Sequence, residues 1–305
     1  MNKIVKEDIK SIIEKSDFIY KLKNKNILLI GGTGFFAKWF IILIDYLNNI
    51  LNFNINLTIS IRSYDKFICN FKNIIDINRY SYIESDILNL KINNKDFNYV
   101  LYFASPDPHI IAEEKLYNMI IEGTKNILHI FENSNIDKLI FTSSGAVYGH
   151  NDHNVKESDI CKPTTIYGKS KKHAEELLLQ SNINVSIARC FAFNGPFNEK
   201  HEFFAIPNFI DNVINNRDIV IKGDGRAYRS YLYAADLAVW LLAILLKSEN
   251  KSIYNVGAGG GISIYDLAKK VAKQNNNYTG EIKILTKPNY DIQPERGIFP
   301  IFQKS

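Results

Sequence analysis

From residue 26 onward, apolar runs of strand length alternate with longer stretches whose apolar residues recur three and four apart. NILLI (26–30), NLTISI (56–61), YVLYFA (99–104), KLIFTSS (138–144) and VSIARC (185–190) read as strands, with a short one near YSYIES. Between them FFAKWFIILIDYLNN, EKLYNMIIEGTKNILHIFENS and YGKSKKHAEELLLQS read as helices. A strand that is apolar throughout has both faces covered, and the intervening helices supply that cover. The pattern predicts an α/β fold whose doubly wound parallel sheet occupies 26–190. Ahead of it, residues 1–25 begin MNKIVKEDIKSIIEKSDF, with Ile4, Ile9, Ile12 and Ile13 at helical spacing among charges. That is an amphipathic surface helix rather than a signal peptide. Past 190 the alternation breaks into short elements rich in Asn, Gly and aromatics, so 191–305 reads mainly as a smaller lobe. Within it DIVIKG and YRSYLYAADLAVWLLAILL, about 218–257, are expected to return to the core.

Composition narrows the function classes. The net charge of +5 is spread along 305 residues, so no basic patch marks a nucleic-acid surface, while small anionic substrates suit it. Three cysteines, Cys69, Cys161 and Cys190, lie far apart and outside any CxxC or Cys/His cluster. No metal site or disulfide framework is expected, and a reducing cytoplasm is the natural compartment. The apolar run LAVWLLAILL (237–246) is too short to span a bilayer, so a soluble protein is expected.

The first strand runs into GGTGFFAKW, which spaces Gly31, Gly34 and Ala37 as GxxGxxA between strand and helix. A tight turn, a backbone open to a diphosphate and a small residue at the helix–strand contact are what a Rossmann-type dinucleotide site needs. Gly31, Thr33, Gly34, Phe35 and Phe36 are therefore cofactor candidates. At the end of the second strand a carboxylate would select NAD, through the ribose 2′-hydroxyl, and a cation NADP. The chain has no acid at Ser60 or Ile61 and carries Arg62 at the tip, so NAD or NADP is expected, leaning to NADP. Asp86 and Ile87 mark the adenine end, and Ala104 closes YVLYFA on the same side.

In YGKSK, Tyr167 and Lys171 are four apart and share a helix face. A phenol with a pKa near 10 is a poor base at neutral pH, and an adjacent ammonium favours its ionised form. Ser144, at the end of the strand before that helix, adds a hydroxyl. A surface ion pair or a Ser-rich turn is the plain alternative for each motif taken alone.

Together, LLIGGTGFF, FTSSGAVYG, YGKSK, GDGRAYRSYLYAADLA and YNVGAG resemble an extended short-chain dehydrogenase/reductase of the NAD-dependent epimerase/dehydratase family, which modifies nucleotide-activated sugars. The resemblance implies that Ser144 hydrogen-bonds the reacting sugar oxygen, that Tyr167 exchanges the C4 hydroxyl proton, and that Lys171 holds the nicotinamide ribose. It implies substrate contacts at Asn208 and Arg229, with Arg296 in QPERGIF as a second arginine for the diphosphate. Dehydratases of the family place an Asp-Glu pair after the catalytic hydroxyl residue, where this chain has Gly145 and Ala146. Hydride chemistry at C4, by a 4-epimerase or a 4-ketoreductase, is expected instead. A 4,6-dehydratase and a non-catalytic dinucleotide-binding protein are the alternatives. The resemblance further implies a homodimer. Relatives usually continue past PERGIFPIFQKS with a helix and a short tail, which bears on substrate affinity more than on cofactor binding.

Overall fold

A computed structural model describes residues 2–149, 154–198, 204–288 and 300. In chain order it contains α1 (Lys3–Glu14), β1 (Asn26–Ile30), α2 (Phe35–Leu51), β2 (Asn56–Ile61), α3 (Tyr64–Phe71), β3 (Ser81–Glu84), β4 (Tyr99–Tyr102), α4 (Glu113–Phe131), β5 (Lys138–Ser144), α5 (Ile166–Gln180) and β6 (Val185–Cys190). There follow β7 (Phe193–Asn194), α6 (Ala205–Ile214), β8 (Ile219–Ile221), β9 (Tyr228–Arg229), β10 (Leu232–Tyr233), α7 (Ala234–Lys247), β11 (Ile253–Val256), β12 (Ile262–Ser263), α8 (Ile264–Ala272) and β13 (Ile282–Ile284). The described residues fall into two units, one within Met1–His150, Glu157–Cys190 and Ala234–Val256, the other within Asn151–Lys156, Phe191–Tyr233 and Gly257–Ser305.

The first unit is the α/β fold that the apolar runs predict. Its seven strands, all parallel, lie in the order β11-β6-β5-β4-β1-β2-β3. β6 is buried along its whole length and β5 at all but its last residue, with the polar Thr142, Ser143, Ser186 and Arg189 buried among the apolar positions. On one face α4 packs on α5, and Leu116, Ile120, Ile127, Ala174 and Leu178 join the core of β1, β4, β5 and β6. On the other, α7 contacts α2, β5 and β6. The strand order reverses between β4 and β1, so their connections leave in opposite directions and open a crevice at the carboxyl ends.

The N-terminal helix belongs to this unit and seats Val5, Ile9 and Ile12 against it, while Ile4 stays exposed. It contacts α7, where Lys15 bonds Asp236 at 3.0 Å. Just after the helix Asp17 meets Lys247 at 3.3 Å, and the Lys247 ammonium lies 4.2 Å from the Phe18 ring.

In the second unit α6 packs on α8 around Ile206, Phe209, Val213 and Leu267, with Ile219 and Ile221 of β8 beneath. β8 pairs with β13, β9 with β12, and β10 with β7. The expected return to the core over about 218–257 is narrower than read. β8, β9 and β10 stay in the second unit, and only Ala234–Val256 rejoins the sheet. DIVIKG has strand character, but its partner is Ile282–Ile284, not the main sheet.

Candidate active site

The crevice at the strand ends is a cleft of about 910 Å³, open solvent at its mouth included. Gly31, Thr33, Gly34, Arg62, Asp86, Ile87, Ala104 and Lys171 all line it, so the structure brings these sequence candidates together. Gly31 has φ +97, and a Cβ there would lie 2.7 Å from the backbone of Ala104. Only glycine lets the turn after β1 press so closely against the end of β4. The turn is braced by the Ser60 carbonyl, which accepts from Gly31 N at 3.1 Å and Gly32 N at 3.0 Å. Phe35 and Phe36 form the first turn of α2, whose N-terminus has no side-chain cap, and the Phe36 ring meets Phe103 edge-on at 6.1 Å. A glycine cradle followed by an uncapped helix N-terminus fits the diphosphate of a dinucleotide.

Farther along the cleft, Asp86 accepts from the backbone of Leu88 and Asn89 and from the Asn89 amide. Those Asn89 bonds, with the nearby Arg62 charge, hold its carboxyl below the usual range. Arg62 is exposed on the loop after β2 and lines the cleft beside it.

The candidate catalytic groups sit where β5, β6 and α5 converge. Ser144 is the last residue of β5, and its Oγ accepts from Ala146 N at 3.2 Å. That bond opens the tight turn Gly145–Tyr148. Thr165 caps α5 by accepting from Gly168 N at 3.0 Å, which starts the helix one residue before Tyr167. Gly168 makes the approach possible, because a Cβ there would lie 2.4 Å from the Ala146 carbonyl oxygen. The first turn of α5 thus presses directly on the turn that follows Ser144.

Lys171 is fully buried, and its Nζ donates to the Thr142 carbonyl at 3.0 Å. The ammonium lies 4.7 Å from the Phe141 ring centroid and 5.8 Å from that of Tyr167. Burial pushes its pKa down to about 8, with nearby Cys190 and Glu175 opposing the shift. Burial raises the Tyr167 phenol, and hydrogen bonds from Ser105 and Ser144 oppose that rise. Cys190 is the register partner of Ser144 across β5 and β6, and burial pushes its thiol up to about 12. At neutral pH these values give an ammonium beside a neutral phenol and a neutral thiol. A bound cation near the phenol would favour its ionised form.

Four of these groups escaped the sequence reading. Ser105 directly follows YVLYFA, and the rule that ligands gather at the carboxyl ends of parallel strands points to it. Gly168 stands inside the YGKSK motif, but its tight contact with Ala146 is visible only in three dimensions. Cys190 and Glu175 become neighbours of Lys171 through strand register and helix geometry, which no motif encodes. Asn208, on α6, and Arg229, on β9, lie in the second unit, where Arg229 Nη1 donates to the Tyr228 carbonyl at 2.9 Å. Arg296 lies outside the described residues. Among the described residues no cluster of side chains suits a metal, and no helix is long and apolar enough to cross a membrane.

The human dTDP-D-glucose 4,6-dehydratase is 28% identical over 262 residues, covering 81% of this chain and 73% of the relative. A putative UDP-glucose 4-epimerase of Methanocaldococcus jannaschii is 31% identical over 270 residues, covering 84% of each. Among solved structures, UDP-N-acetylglucosamine 4-epimerase of Methanobrevibacter ruminantium, in complex with UDP-N-acetylmuramic acid, superposes with a TM-score of 0.77. It shares 25% identity, and the match covers 92% of this chain and 90% of that one. The model of the NAD dependent epimerase/dehydratase family matches residues 27–257. With the glycine cradle, the seven-stranded sheet and these relatives in agreement, the chain belongs to the NAD dependent epimerase/dehydratase family.

Proposed function

We propose that this protein is a nucleotide-sugar-modifying oxidoreductase acting at sugar C4, with 4-epimerisation as one outcome of that chemistry. The carrying observation is the turn after Ser144. Ser144, Tyr167 and Lys171 supply the groups for moving a hydroxyl proton, while Gly145 and Ala146 carry no acid or base to expel a hydroxyl. Elimination needs a proton donor for the leaving hydroxyl and a base for the neighbouring carbon. This turn offers neither, although several relatives are named as dehydratases.

In this reading Ser144 holds the C4 oxygen of the sugar, and Tyr167 accepts the C4 hydroxyl proton and later returns it. Lys171 stabilises the ionised phenol and holds the nicotinamide ribose. Gly31, Thr33, Gly34, Phe35 and Phe36 hold the diphosphate, and Ile87, Asp86 and Ala104 line the adenosine end. The dinucleotide, when bound, supplies the hydride acceptor and donor for C4. Arg229 and Asn208, with Arg296, bind the nucleotide diphosphate of the substrate, since an arginine fork matches phosphate oxygens in pairs. The working form is a cytoplasmic homodimer.

A second outcome, NADPH-dependent reduction of a 4-keto sugar, is favoured by Arg62 in the cleft. Arg62→Ala is expected to weaken NADP⁺ binding about tenfold, the loss of one charge-assisted phosphate contact, and to leave NAD⁺ binding unchanged. Calorimetric titration of both cofactors decides this.

The reaction is tested by incubating the protein with UDP- and dTDP-sugars and their 4-keto derivatives, with and without NADPH, and reading products by NMR. C4 inversion or 4-keto reduction is expected, and Tyr167→Phe should lower the rate by about 10²–10⁴-fold with cofactor binding intact. Full activity in Tyr167→Phe, or no turnover of any such sugar by a cofactor-loaded protein, would refute the proposal.

A further inference from the structure

Beneath the candidate site lies a buried charged group that the C4 reaction does not use. Glu175, on α5, is wholly buried, and so is its partner Arg189 on β6. Its Oε1 accepts from Ser143 Oγ at 2.5 Å and Arg189 Nε at 3.0 Å, and Oε2 accepts from Arg189 Nη2 at 2.8 Å. Arg189 Nη1 donates to the Tyr148 hydroxyl at 2.9 Å, and that hydroxyl donates to Asn255 at 2.8 Å. A buried ion pair contributes little net stability, because desolvation offsets its attraction. What this pair does achieve is placement.

Glu175, Arg189 and Ser143 lie on the three elements that carry the site, α5, β6 and β5. Ser143 precedes Ser144, Arg189 precedes Cys190, and Glu175 follows Lys171 by one helical turn on the same face. Lys171 already grips the Thr142 carbonyl of β5. Helix α5 therefore holds two successive residues of β5, one by an ammonium and one by a carboxylate, immediately before Ser144. A fork from β6 locks the carboxylate, and such bidentate charge-assisted bonds fix geometry tightly.

We infer that Glu175 is a positioning residue: locked by Arg189, it holds Ser143 and sets α5 against β5 so that Tyr167 and Lys171 meet Ser144. The inference rests on the proposed role of those three residues. The groups facing Lys171 are Cys190, Glu175 and the rings of Phe141 and Tyr167. Those acting on Tyr167 also include Ser105, Ser144 and Asp107.

The test uses the full chain carrying ¹³Cε-lysine and ¹³Cζ-tyrosine, with Lys171→Met and Tyr167→Phe assigning the two resonances. Glu175→Gln removes an anion beside Lys171 and strands the Arg189 cation, so the Lys171 midpoint should fall by about one pH unit. The Tyr167 resonance should move as well, and kcat should fall at least about tenfold with KM nearly unchanged. If Glu175→Gln does not fold, Glu175→Gln with Arg189→Met removes the stranded cation as well; its Lys171 midpoint should then fall by less, while the Tyr167 displacement and the loss of kcat should remain. A purely structural role would lower Tm alone. A Lys171 midpoint within about 0.2 unit of the parent and an unmoved Tyr167 resonance, in either folded variant, would overturn the inference. If Lys171→Met leaves the Tyr167 resonance unmoved, the proposed pairing fails instead, and the Lys171 titration in Glu175→Gln still judges Glu175.

Discussion

Lys171 is costly to the fold and useful to the chemistry for one reason. Its ammonium is buried and donates to the Thr142 carbonyl, and burial holds its pKa near 8 against an ordinary 10.5. Below pH 8 both folded and unfolded chains carry the proton, and the folded state bears the whole desolvation cost. Between about 8 and 10.5 the folded lysine releases its proton while the unfolded one retains it, so this residue's contribution to stability rises with pH across that window. Lys171→Met is therefore expected to stabilise the cofactor-free protein below pH 8, by on the order of 1–3 kcal/mol, with the gain fading by about pH 10.5. Denaturant melts at pH 7 and pH 10 measure it. A gain that grew with pH would contradict the burial of the charge. The same variant should lose activity, because the group that destabilises the fold is the one that lowers the cost of ionising Tyr167.

At the scale of elements, the site depends on how closely two turns can approach. Gly168 in α5 faces the Ala146 carbonyl, and a methyl group there would meet backbone rather than a yielding side chain. Gly168→Ala should push the start of α5 away from the turn after Ser144, costing about 1–3 kcal/mol of stability and on the order of 10²-fold in rate. Gly223→Ala, where nothing lies within 4 Å of the added atom, is the control and should change neither. The same elements explain what could be read in advance. The main strands announce themselves: β1 and β4 by four consecutive apolar residues, β5 by three, and β2 and β6 by apolar residues interleaved with Thr, Ser or Arg. β7, β9 and β10 are two residues long, too short to show any period, and they exist because of partners in distant segments. β8 looked like core because Ile219 and Ile221 are apolar, but composition does not say which sheet an apolar residue joins. Likewise GxxGxxA and YxxxK are local spacings, legible because one turn of chain carries all their parts. The contact of Cys190 with Lys171 needs the register Ser144–Cys190, and Ser105 reaches Tyr167 only because β4 and β5 are neighbours.

For the whole molecule, the division into two units separates two kinds of candidate contact. The glycine cradle, Arg62, Asp86 and the Ser144, Tyr167 and Lys171 set all belong to the first unit, while Asn208 and Arg229 belong to the second. Ligands that bind only the folded state stabilise it by mass action, about 2.7 kcal/mol at a hundredfold excess over Kd. A dinucleotide at that excess should raise Tm by several degrees in a chain of 305 residues. A UDP-sugar added on top should raise it again if the second unit grips the nucleotide diphosphate. Arg229→Ala then separates the two effects: the increment from the UDP-sugar should largely vanish, and the increment from the dinucleotide should persist. Thermal melts of parent and variant, with each ligand alone and with both, read this directly. An unchanged sugar increment in Arg229→Ala would remove that arginine from the substrate site. Loss of both increments would mean instead that the substitution damages the fold on which cofactor binding depends.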